Sequence, residues 1–175
     1  ACTFHNTLVD RIVPGYPRDQ IEAYNAQLDY EDKLLVSAET FFLWVIEGDE
    51  RLKEKLPFHK TDLDVKIVKD MQPFRTRKVR ILNGAHTAMV PFSILYGNQT
   101  VKESVDEKFT GPFIQSVVFD EIIPTLDMDK TELEAFAKAV FDRFRNPFIK
   151  HQLSSIALNS ISKFKVRVLP SLLEF

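Results

Sequence analysis

Lys78, Asn83 and His86 fall within nine residues of one apolar run, Lys-Val-Arg-Ile-Leu-Asn-Gly-Ala-His. They offer one cation that can lose a proton beside two neutral groups that can hydrogen-bond. Such a set suits chemistry at a carbonyl, where one group supplies the proton and two hold the oxygen. Between Arg75 and Tyr96, apolar residues at Val79, Leu82, Met89, Val90, Phe92, Ile94 and Leu95 predict a helix. At roughly 100° per residue, Asn83 would lie about 140° and His86 about 80° around that helix from Lys78. Asn83 and His86, three residues apart, would be direct neighbours. All three could then look into one cleft. Plainer readings stand beside this one. Lys78 also belongs to a basic run with Arg75, Arg77 and Arg80, and such runs are usually solvated. His86 could be a core histidine bonded to a carbonyl, and Asn83-Gly84 could mark a break in the helix. The pattern alone does not name a reaction.

The elements that must position these residues are bounded by composition. The 175 residues are 45% hydrophobic and 27% charged, which fits one globular domain or one piece of a larger protein. Fifteen phenylalanines can bury a large core. A net charge of −2 provides no basic field for nucleic acid or an anionic membrane surface. Cys2 is the single cysteine, so no internal disulfide can form, which favours a reducing, cytoplasmic setting. No apolar run approaches the ~20 residues of a membrane span. The start at Ala1-Cys2-Thr3-Phe4, with no methionine, reads as a fragment. Gly15, Gly48, Gly84, Gly97 and Gly111 are dispersed, whereas a dinucleotide fingerprint or P-loop needs them clustered. His5, His59 and His151 have no metal-ligand spacing with one another or with Cys2, so no metal is expected.

Along the chain, Pro14-Gly15-Tyr16-Pro17 reads as a turn and Arg18 to Leu28 as a short helix. Lys33 to Glu39, Phe41 to Ile46 and Val65 to Val68 read as strands. Phe41-Phe42-Leu43-Trp44 reads as core, and Asp10-Arg11 as an ion pair. Thr100 with Glu103, and Thr131 with Glu134, have capping-box spacing. Gly111-Pro112 opens a further helix through Ile122, and the helix begun at Thr131 ends near Arg145. Gln152 to Ile161 and Leu169 to Leu173 are shorter helical segments. The expected fold is mainly α, with a small β element near its start. Arg143, Arg145, Lys150, Lys163, Lys165 and Arg167 give the last third a positive cast, either a solvated helix face or a pocket for an anionic substrate.

Three ordered segments resemble the polyol-specific long-chain dehydrogenase/reductase family, which includes mannitol dehydrogenases and uronate reductases. Phe4-His-Asn-Thr-Leu-Val-Asp-Arg-Ile-Val-Pro14 is similar to its Val-Asp-Arg-Ile signature, and Lys78, Asn83 and His86 match its catalytic lysine–asparagine–histidine spacing. Arg143-Phe-Arg-Asn-Pro147 and Ser162-Lys163, followed by Leu169-Pro170, look like its later landmarks. Gly15-Tyr-Pro-Arg18, Asn83-Gly-Ala-His-Thr87 and Asn159-Ser-Ile-Ser-Lys-Phe164 look most like its uronate reductases.

The resemblance covers essentially all of residues 1–175 and implies the helical C-terminal substrate domain of a two-domain, NAD-dependent oxidoreductase. The cofactor-binding Rossmann domain would lie before Ala1, and an asparagine of the active site would come from it. By carry-over, Lys78 is general acid and base, Asn83 donates to the carbonyl oxygen, and His86 orients it. Asp10 and Lys163 would bind the substrate, and no metal is needed. A uronate would require one more cation, from among Arg18, Lys165, Arg167 and the Lys150-His151 pair. The rivals are a sibling acting on another ketose or polyol, and a non-catalytic helical interaction module.

Overall fold

The computed structural model describes residues 2–175. Its sheet has three strands, β1 (Thr7–Asp10), β2 (Leu43–Glu47) and β3 (Val65–Val68), in the order β1-β2-β3. β1 runs antiparallel to β2, with Val9 opposite Trp44, and β2 runs parallel to β3, with Trp44 opposite Val65. The connections carry two short helices, α1 (Ile21–Asn25) and α2 (Glu50–Lys55), the latter capped by the Asp49 side chain on the Leu52 amide.

The sheet corrects the sequence reading twice. Thr7–Asp10 is a strand although its short Thr-Leu-Val-Asp run carries little alternation. Conversely, Lys33 to Glu39 is no strand. Its backbone-to-backbone hydrogen bonds to the rest of the described chain are the Ser37 amide to Gly15 and the Glu39 amide to Ile12, too few to build a ladder.

From Gln72 the chain is helical. α3 (Gln72–Arg77) continues through a π-helical turn, Lys78–Asn83, into α4 (Gly84–Tyr96), which Gly97 ends in the left-handed conformation at φ 110°. α5 (Val101–Asp106) starts at Thr100, whose side chain and that of Glu103 form the expected capping box. α6 (Thr110–Ser116) passes into a second π-helical turn, Val117–Ile122. α7 (Lys130–Phe144) is capped by Asp129 on the Glu132 amide, not by Thr131. The acid two residues upstream captures the free amide, so the helix begins earlier than the Thr131–Glu134 spacing suggested. α8 (Leu153–Ala157), α9 (Ser160–Arg167) and α10 (Leu169–Glu174) complete the chain.

The core is helical. Ile81, Leu82, Ala85 and Met89 of the motif helix meet Ile114, Val118 and Ile122 on one side and Leu133, Ala137, Val140 and Phe141 of α7 on another, with Leu153 and Ile156 below. α4 packs directly on α6, α8 and α9. The basic run is not the solvated face it resembled. Arg80 is buried, donating to Ser171 Oγ at 2.8 Å, Thr125 Oγ1 at 2.9 Å and Glu174 at 3.0 Å. Arg77 lies 4.5 Å over the Phe136 ring. Among the described residues no helix is long and apolar enough to cross a membrane.

Candidate active site

The π turn begins at Lys78 and ends at Asn83. In such a turn the backbone bonds run from i to i+5, so residues five apart replace residues four apart as stacked neighbours. The two therefore share a face of the helix more closely than the 140° of ideal α geometry allows. Single π turns recur at functional sites because they re-aim side chains this way.

Lys78 Nζ reaches out of the helix to donate to the Val9 carbonyl of β1 at 2.6 Å. Burial lowers the lysine pKa, opposed by the nearby Asp10 carboxylate and reinforced by Arg143 and Arg167. At the far end of the turn, the Asn83 carbonyl accepts from Thr87 Oγ1 at 2.9 Å. His86, one turn further, is 6% exposed. Its ring packs 4.4 Å from Phe144 and meets His151 edge-on at 5.1 Å. Its Nε2 is buried and has no hydrogen-bond partner among the described residues. Burial holds the ring far below an ordinary histidine pKa, helped by His151, Arg167, Arg143 and Lys163 around it. His86 thus resists protonation, and its buried Nε2 carries no hydrogen bond within the described residues. That disposes of a core histidine satisfied through Nε2.

Asp10 does not pair with Arg11. Its two oxygens take Arg143 Nη2 at 2.7 Å and Nη1 at 3.2 Å. Arg143 also donates to both Glu39 oxygens, at 2.8 and 3.0 Å, and stacks 4.0 Å over Phe41. Burial would lower the pKa of this guanidinium, but the Asp10 and Glu39 hydrogen bonds win and raise it. Arg11 instead donates to the Glu39 carbonyl and lies 5.7 Å over Phe42. The reason is burial. Asp10 and Glu39 are 2% and 3% exposed, and a planar fork with five donors satisfies both where one neighbouring side chain could not. Arg143 and Phe144 are consecutive, so the last turn of α7 touches both the strand that holds Lys78 and the ring of His86. The sequence contained Arg143-Phe144 in a motif, but nothing local revealed partners more than a hundred residues away.

Lys163 Nζ donates to the Ile156 carbonyl at 2.7 Å and stands near His86, whose ionisation it opposes. Arg18, Lys150 and Lys165 are exposed. A cleft of about 720 Å³ opens elsewhere, at the end of the sheet beside His5, Asn6, Glu47, Asp49 and Lys69, and none of the motif residues lines it. Among the described residues no group of three His, Cys, Asp or Glu converges as a metal site requires. The turn after β2 leads into α2 through Asp49, whose carboxylate accepts from the Leu52 amide at the helix N-terminus.

A mainly helical fold with a small sheet at its start, carrying these motifs in order, places this chain in the mannitol dehydrogenase family. The family model for the mannitol dehydrogenase C-terminal domain matches residues 70–175, and that for the mannitol dehydrogenase Rossmann domain matches residues 1–60. The chain is 53% identical over 175 residues to the altronate oxidoreductase of Bacillus subtilis (strain 168), covering all of this chain and 36% of that protein. It is 51% identical over 173 residues to that of Pectobacterium carotovorum, covering 99% and 36%. The chain thus spans about a third of the length of these curated relatives. A substrate-free D-sorbitol dehydrogenase superposes with a TM-score of 0.79 at 27% identity, covering 97% of this chain and 35% of the other. The Pseudomonas fluorescens mannitol 2-dehydrogenase, in a ternary complex with NAD and D-mannitol, shares the fold at a TM-score of 0.75 and 24% identity, covering 97% and 34%.

Proposed function

We propose that this chain is the substrate domain of an NAD-dependent sugar-acid reductase that converts D-tagaturonate reversibly to D-altronate. The half-identity to two altronate oxidoreductases supports the substrate. The observation that carries the chemistry is the π turn with Lys78 and Asn83 at its ends and the unpartnered Nε2 of His86 one turn on. The nicotinamide cofactor, which supplies the hydride, is assigned to the family's Rossmann domain, whose model matches residues 1–60 here.

The proton side of the reaction follows from this chain's own residues. As the ketone becomes an alkoxide, the Lys78 ammonium protonates it, and in the reverse direction the neutral amine removes the proton. A lysine serves both directions only if its pKa falls toward working pH, and burial pushes it that way. The Asn83 carboxamide donates to the carbonyl oxygen. His86 donates from Nε2, in the tautomer that carries its proton there, and so orients the oxygen. Phe144 fixes the plane of that ring. Asp10, held by Arg143, and Lys163 are assigned to the sugar hydroxyls.

In the full-length enzyme, Lys78→Ala is expected to lower kcat on D-tagaturonate by about 10²–10⁴-fold, the span of a lost general acid. Turnover within a few-fold of the parent would reject Lys78 as the proton donor. Preference of the parent for D-fructuronate or D-fructose would keep the chemistry and change the substrate.

A further inference from the structure

Lys78, Lys163 and Arg167 stand around the motif helix, and none of them has a carboxylate within ion-pair distance among the described residues. Lys78 and Lys163 each bond a backbone carbonyl. Arg167 has only a long 3.4 Å contact from Nη1 to Thr87 Oγ1. The contrast with Arg143, which takes two carboxylates, is sharp.

Arg167 is the last residue of α9, and its main chain lies close against the motif helix: a Cβ placed on Gly84 would lie 3.2 Å from the Arg167 carbonyl, which would have to give by a few tenths of an ångström. From there the side chain runs toward Thr87, whose own hydroxyl proton goes to the Asn83 carbonyl at 2.9 Å. The guanidinium thus sits on the face that carries Asn83 and His86. It has five donors and spends one of them, weakly, on a neutral hydroxyl. It is half-buried, and burial lowers its pKa, a cost that an anion would offset. Lys163 lies one turn earlier on the same face of α9, close enough for Arg167 to depress its pKa as well. Lys165 and Arg167 both lie in the last turn of α9, where basic residues favour the helix C-terminus, but Lys165 is exposed whereas Arg167 is half-buried against the motif helix.

We propose that Arg167 is the anchor for the carboxylate of the substrate, its planar fork taking both carboxylate oxygens while the ketone lies toward Asn83 and Lys78. Bidentate pairing with a carboxylate is the contact a guanidinium makes best. The ligand class is a keto sugar acid, and Lys163, assigned to the hydroxyls, adds positive charge beside the carboxylate subsite. This inference rests on the reading of the chain as a reductase substrate domain.

The test is steady-state kinetics of the full-length enzyme, parent and R167Q, on D-tagaturonate and on D-tagatose, its neutral counterpart with a hydroxymethyl group in place of the carboxylate. R167Q is expected to raise KM for the acid by about 10–100-fold, the loss typical of a hydrogen bond to a charged group. Activity on the neutral ketose should stay within about threefold. R167K, which keeps the charge and loses the fork, should fall between parent and R167Q on the acid alone. Equal losses on both substrates, or an unchanged preference for the acid in R167Q, would overturn the anchor. A parent enzyme that preferred the neutral ketose would instead overturn the sugar-acid reading beneath it.

Discussion

His86 carries a stability signature of its own. Its folded pKa lies well below the ordinary 6.5, chiefly because the buried ring cannot accept a charge. The unfolded chain therefore binds a proton near pH 6.5 that the folded chain refuses, so stability is lost as pH falls below that value. The loss should approach about 1.4 kcal/mol per pH unit below about pH 6, until the depressed folded pKa is reached. Urea midpoints measured from pH 7 to pH 5 are expected to fall in the parent and to fall less steeply in His86→Asn. Equal slopes would mean that His86 is protonated in the folded protein. His151, whose pKa burial also lowers, contributes to the slope common to both proteins. A ring that resists protonation suits the hydrogen-bonding role proposed for His86 and the proton-donor role proposed for Lys78.

At the scale of elements, α7 matters most. Its last turn contributes Arg143 to β1 and to the Asp10–Glu39 pair, and Phe144 to His86. Arg143→Met would leave two carboxylates buried without a counter-charge, a change that typically costs about 3–5 kcal/mol. The expected result is a much lower urea midpoint, recovered in part when Asp10→Asn and Glu39→Gln are added, since neutral amides tolerate the loss better. A midpoint unchanged by Arg143→Met would show that water replaces the guanidinium. The elements also separate what the sequence revealed from what it hid. The motif helix, the Thr100 cap and Val65–Val68 were legible because each is set by local spacing. The π turn was not, because one extra residue per turn leaves the apolar pattern readable as α. Lys33 to Glu39 looked like a strand because β-propensity says nothing about whether a partner is present.

For the whole molecule, the family and its motif residues were legible in order and spacing, but their long-range partners were not. Asp10 finding Arg143, and Lys78 finding the Val9 carbonyl, are products of tertiary packing. Because this chain spans about a third of the length of its curated relatives, the 175 residues alone are expected to leave NADH fluorescence unchanged on titration. The full-length protein should enhance or quench it saturably. Saturable binding by the chain alone would place the cofactor site within residues 1–175. One last point concerns movement. Asp10 and Glu39 belong to the stretch matched by the Rossmann model, whereas Arg143 belongs to the stretch matched by the C-terminal model. The buried triad therefore bolts the two stretches together across the boundary between them. Within this chain the three-stranded sheet rides with the helices, pinned by Arg143 as well as by the peptide link between residues 60 and 70.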